Sequence, residues 1–177
     1  GPTTDLLHYK FMACRHFLAN EQMQYEAARV LSETASLMKR SGRYRQLIRL
    51  IEPLFGTLRG RELWLSYHYA HCLFIVGELK SALVAIEQLV DEDLSNDATL
   101  RLAVSRLYAE ILGATGQSVY GETVLANAVK ATDLNKVRGF TVRQALTALG
   151  GLEFRNGSVT SAKKRFEDCY TDALKVG

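Results

Sequence analysis

His68, His71 and Cys72 are side chains whose types could hold a metal ion. Residues three and four apart share a helix face, so His68 could offer a ligand pair with His71 or with Cys72. A zinc site needs three or four protein ligands, and no second cluster in the sequence has matching spacing. Cys72 also falls beside Ala70 and Leu73, on the side expected to pack. No metal site is therefore expected. Trp64, Tyr67 and Phe74 surround these residues, and rings with a polar handle are the residue types that anchor protein interfaces. A basic stretch runs through Lys39, Arg40, Arg43, Arg45, Arg49, Arg59 and Arg61, opposed by few acids. Phosphate groups would be bound by such a cluster. These residues straddle a turn and scatter around one helix with no aromatic interleaving, which favours a solvated face. A nucleic-acid-binding surface at Lys39–Arg61 is the alternative reading. Catalysis has little to stand on. The chain contains no glycine-rich phosphate loop, zinc-protease helix motif or nucleophile elbow, so no catalytic residue and no cofactor are expected.

Composition is that of an ordinary folded chain. The 177 residues are 47% hydrophobic and 23% charged, ordinary for a chain that buries a core. A net charge of +3 is too mild to name a partner. Gly1-Pro2 looks like the remnant of a cleaved tag, which makes residues 3–177 a single domain excised from something longer. Cys14, Cys72 and Cys169 are odd in number and far apart, which argues for reduced thiols and a cytoplasmic setting. No apolar run approaches the ~18 residues that would span a bilayer, and no signal peptide is visible.

The elements that position these residues are set by a frame that recurs four times. A small residue is followed seven positions later by glycine, five later by a second usually small residue, and four later by a large apolar one. The copies read Ala35–Gly42–Leu47–Ile51, Ala70–Gly77–Ala82–Ile86, Ala109–Gly116–Gly121–Leu125 and Gly150–Gly157–Ala162–Phe166. Their glycines lie 35, 39 and 41 residues apart, a period that means stacked helical hairpins. Apolar spacing predicts helices near 5–19, 24–40, 44–58, 61–76, 79–91, 97–115, 118–132, 137–155 and 159–175. Each glycine falls where a helix must end in a left-handed residue. Asp93–Asp97 and Thr132–Asn135 supply caps for the helices that follow. The repeats lie near 28–60, 61–95, 97–135 and 137–175, with the helix near 5–19 left over as a cap or half repeat. The fold expected is all-α, a right-handed solenoid of about four antiparallel hairpins plus one extra N-terminal helix. The small residues allow close helix approach, while Ile51, Ile86, Leu125 and Phe166 fill grooves between hairpins. Gly150 takes a small position in this frame, so Gly150-Gly151 reads as packing and not as a ligand loop.

The frame resembles the tetratricopeptide repeat over about residues 28–175, in its small residues, its turn glycine and its late large residue. Leu47 departs from the pattern, as does the absence of the closing proline, and two spacings, 39 and 41, exceed the usual ~34 residues by five or more. The resemblance implies a non-catalytic module that binds a protein or peptide on the concave face formed by the first helix of each hairpin. In the second repeat that face implies Trp64, Tyr67, His71 and Phe74, with Arg106 and Glu110 from the third repeat and Lys39 at the rim. The competing reading packs Trp64 and Phe74 against a neighbouring repeat. A carboxylate clamp of the chaperone-binding kind needs lysine and asparagine where Ser32 and Ser36 stand. A narrower resemblance covers residues ~6–55. Tyr25–Leu31, Ser41–Tyr44 and Leu47–Ile51 look like the linker region of STAND-class signalling ATPases, whose repeats sense a ligand, a partner or another domain of the same chain.

Overall fold

The structure, a computed structural model, describes residues 2–19, 23–57 and 62–176, and side chains over 8–19, 23–55 and 62–171. Among the described residues the chain forms nine α-helices and no strand. They are α1 (Pro2–Leu18), α2 (Gln24–Arg40), α3 (Tyr44–Ile51), α4 (Leu63–Ile75), α5 (Leu79–Val90), α6 (Ala98–Ala114), α7 (Ser118–Ala131), α8 (Gly139–Arg155) and α9 (Val159–Val176). Each begins and ends within a few residues of its sequence-predicted counterpart, with one exception. The helix expected over 44–58 stops as an α-helix at Ile51 and continues as a 3₁₀ turn over Glu52–Thr57. Pro53 is the cause, because it has no N–H to donate and its ring crowds the carbonyl four residues back.

The four frame glycines set the turns. Gly42, Gly77, Gly116 and Gly157 have φ of 70°, 86°, 88° and 88°, in the left-handed region that side chains with a Cβ avoid. Around each, the next residue's N–H reaches back to close the helix. Arg43 donates to Met38 O at 2.9 Å, Glu78 to Leu73 O at 2.9 Å, Gln117 to Leu112 O at 2.8 Å and Ser158 to Glu153 O at 2.8 Å. This six-to-one bond satisfies carbonyls that the helix end leaves orphaned. Asp97 caps α6 as expected, accepting the Leu100 N–H at 2.9 Å.

Two compact units divide the chain, residues 1–85 and 86–177. In the first, α1 packs on α2 and α3, α2 on α3, and α4 on both α2 and α3. Its core holds Leu31, Leu47, Ile51, Leu54, Leu65 and Leu73, all essentially sealed from solvent. The leftover helix α1 is tied to α2 by a Lys10–Glu33 ion pair at 2.9 Å and by the Cys14 thiol donating to Ala27 O. In the second unit, α6 pairs with α7 and α8 with α9, and α8 lies on both members of the preceding pair. The core there joins Leu102, Ala109, Leu125, Ala145, Leu149 and Leu152.

The frame's small positions are all buried, and Ile51, Ile86 and Leu125 are fully buried as expected. Phe166 is not: it is 40% exposed. One edge of its ring lies against Gly150, where an added Cβ would meet it at 3.0 Å. Its other side is open together with Phe154, Val159 and Tyr170, because no described helix packs over that face of α9.

Candidate protein-interaction site

Helix α4 carries the aromatic residues expected to form the site. Its sequence, Leu63–Ile75, is apolar on every side, so nearly all of it is drawn into packing. Its start is tied to α2 by the Ser32 hydroxyl, which donates to Glu62 Oε2 at 2.8 Å. Four rings then follow one another along the helix. Trp64 meets Tyr67 edge-on with centroids 5.6 Å apart, Tyr67 stacks with His71 at 6.0 Å, and His68 lies 6.1 Å from Trp64 and 5.6 Å from Tyr67. From α2, Lys39 Nζ sits over the Tyr67 ring at 5.6 Å, within cation–π range.

Exposure divides this set. Trp64, His71, Phe74 and Lys39 are half-buried, whereas Tyr67 is only 6% exposed. Tyr67 is thus a support beneath the surface rings, with little area of its own to offer a partner. His68 lies deeper than its neighbours suggest, with Nδ1 buried and without a hydrogen-bond partner. Burial, and then the Lys39 charge, push its pKa down to about 3, so it stays neutral at ordinary pH. Cys72 is fully buried and its thiol is pushed up to about 11 by burial, against a weaker pull from Lys39. Among the described residues no three His, Cys, Asp or Glu side chains converge as a metal site would require.

Arg106 and Glu110 belong to the second unit. Arg106 is buried on α6 and its guanidinium donates to Glu110 one turn on. Burial holds the Glu110 carboxyl above the usual carboxylate range, and Arg106 and Arg155 pull in the opposite direction. Arg155 was not among the residues singled out from sequence. Neither was Glu153 of α8, nearly sealed at 5% exposure, which accepts Arg165 Nε of α9 at 2.8 Å on both oxygens. Near the fourth turn, Asn156 Nδ2 donates to Glu122 Oε2 at 2.6 Å, and the Ser118 hydroxyl donates to Asn156 Oδ1, linking that turn to α7.

The described members of the basic stretch differ in their surroundings. Lys39 is engaged over Tyr67, and Arg45 reaches Glu78 at 3.8 Å. Arg40 is exposed, while Arg59 and Arg61 lie outside the described residues. Among the described residues no helix is long and apolar enough to cross a membrane.

No family model and no curated protein sequence matches the chain. Solved structures do. A crystal structure of nearly identical TPR-like repeats, assigned to a kinesin light chain of Podosopora anserina, superposes with a TM-score of 0.60, at 17% identity over 96% of each chain. A point variant of those same repeats gives a TM-score of 0.62, covering 96% of this chain and 95% of that one. A double mutant of MamA RS-1 gives 0.58 at 17% identity, covering 97% and 94%. With the repeated glycine turns and buried small residues, these likenesses identify the fold as an all-α, TPR-like helical repeat.

Proposed function

We propose that the chain is a non-catalytic protein-interaction module and that its contact surface in the first unit is centred on Trp64, His71 and Phe74. The observation that carries this reading is the ring series on α4, with Lys39 over Tyr67. Half-buried aromatic rings lose little conformational freedom on binding and can bury large areas. Tyr67 supports Trp64 and His71, and the neutral His68 supports Trp64, which pre-organises that part of the surface. On the other unit Glu110 is half-buried, and Arg106, buried beside it, orients its carboxylate and has little area of its own to offer a partner.

The likeness of Tyr25–Leu31 and Leu47–Ile51 to the linker of STAND-class signalling ATPases supports a more specific reading. In it, this repeat region senses a protein partner or a neighbouring domain within a larger regulatory chain. The three unpaired thiols support a reducing, cytoplasmic compartment. A phosphate-binding loop encoded upstream in the parent sequence would establish the parent class, and its absence would remove it.

Panning a displayed random-peptide library against the protein tests the binding surface. Trp64→Ala and His71→Ala should each weaken an enriched peptide more than about tenfold, or ~1.4 kcal/mol, with little change in melting temperature. Tyr67→Ala is the wrong probe, because emptying a buried ring site costs about 3–5 kcal/mol in its own right. Enriched peptides that bind both variants as well as the parent protein, or no enrichment at all, would overturn the site.

A further inference from the structure

A second surface of the first unit is built differently. Between α1 and α3 runs a groove of about 700 Å³ lined by Phe11, Arg15 and Leu18 on one side and Arg45, Arg49 and Leu50 on the other. Its size is within the range of ligand-holding clefts, ~300–1,000 Å³. On α1 the three residues follow at i, i+4 and i+7 and so share one face, and Arg45 and Arg49 are likewise one turn apart on α3. The result is an apolar floor of Phe11, Leu18 and Leu50 flanked by three guanidinium groups, with no carboxylate among the described residues of the lining.

The charges in this groove are available. Arg15 and Arg49 are exposed and make no ion pair among the described residues. Arg45 reaches Glu78 only at 3.8 Å, and its side chain is 71% exposed. Such a surface pair is worth little and is readily exchanged. Guanidinium groups bind carboxylates through two parallel N–H···O bonds, a geometry that lysine cannot supply. Three of them around an apolar floor suit a ligand that alternates the two characters. Nucleic acid would call for a longer basic track and several rings for stacking, and Phe11 is the one ring among the described lining residues.

We infer that the α1–α3 groove binds a short acidic peptide segment, its carboxylates held by Arg15, Arg45 and Arg49 and an apolar side chain set on Phe11, Leu18 and Leu50. This surface is separate from the ring series on α4, and neither proposal depends on the other.

Fluorescence anisotropy with a labelled Glu-Glu-Leu-Phe-Glu-Glu peptide tests it on the whole protein. The Gln-for-Glu peptide and a single-stranded oligonucleotide of equal charge are the comparison probes. The acidic peptide should bind, weaken as salt is raised, and lose about tenfold or more in affinity in Arg15→Gln/Arg49→Gln. Both arginines are exposed, so the variant should melt like the parent protein. Lys163→Gln/Lys164→Gln, changing exposed charges on α9, should bind like the parent. Three results would overturn the inference: no binding of the acidic peptide, equal binding of the Gln peptide, or tighter binding of the oligonucleotide that is lost with the same arginines.

Discussion

A Cβ placed on Gly121 would stand 2.7 Å from the carbonyl oxygen of Ala109, twelve residues earlier on the facing helix. The same Cβ would lie 3.3 Å from Leu112 Cβ. Both obstacles are at or beside the backbone, so no flexible side chain can swing clear. Helices α6 and α7 are therefore as close as they are because Gly121 has no side chain.

That contact yields a paired test. Gly121→Ala should cost about 1–3 kcal/mol, because the helices must separate to accept one methyl group. Gly151, in the interior of α8, has nothing within 4 Å of an added Cβ. Gly151→Ala should raise stability by about 0.5–1 kcal/mol through backbone entropy alone. Chemical denaturation of the two variants reads both signs, and equal signs would mean that the hairpin spacing is wrong.

A second prediction concerns Glu153 and Arg165. The carboxylate is almost sealed, and a single Arg165 Nε–H is shared between its two oxygens. Removing only the cation, as in Arg165→Met, leaves a buried charge with its main partner gone. The full cost of such a break is ~3–5 kcal/mol, but the Arg165 side chain is 31% exposed and water can partly replace it. About 2 kcal/mol is expected. A double-mutant cycle with Glu153→Gln should return a coupling of roughly 0.5–3 kcal/mol; a coupling near zero would show the pair to be incidental.

The three cysteines should react very differently. Burial pushes the thiols of Cys14 and Cys72 up to about 11, and both side chains are closed to reagents. The thiolate is the reactive form, so both are protected twice over. Cys169 on α9 is only half-buried. A maleimide followed by intact-mass measurement should modify Cys169 alone in the folded protein, and all three after unfolding. Rapid labelling of Cys72 in the native state would contradict its placement on the buried side of α4.

Most of this fold was legible because the frame encodes contacts as well as elements. In each copy the two small positions are twelve residues apart, and the Ala109–Gly121 approach shows that this offset marks residues facing each other across a hairpin. Glu153 and Arg165 are also twelve apart, one turn beyond Gly150 and Ala162. Their ion pair follows the same offset, but a frame defined by small residues does not mark it. The depth of Tyr67 was a different matter. Helix α4 is apolar all round, so no periodicity marks which of its rings faces outward. Phe166 was misjudged for a third reason. Leu125, at the same frame position, is sealed in a core that α8 of the next hairpin completes, and the frame itself carries no information on whether a hairpin is packed there.

His68 supplies the prediction with the clearest sign. It sits among Trp64, Tyr67 and Lys39, 8% exposed, and its pKa is lowered from 6.5 to about 3 by burial first and the Lys39 charge second. The unfolded chain takes up a proton at this imidazole near its ordinary pKa, while the folded chain refuses it until far lower pH. Between those two values the unfolded state binds more protons, so stability must fall as pH falls through the window. The contribution is fully present above 6.5 and has been lost by about 3. The His68→Phe variant has no such group, and its melting temperature should decline less steeply over the same range. Glu33 and Asp93, held below the usual carboxylate range, and Glu110, held above it, titrate in both proteins and cancel in the comparison. Parallel melting curves for the parent and the variant across that window would mean that His68 accepts its proton in the folded state, and that α4 is wetter than its packing shows.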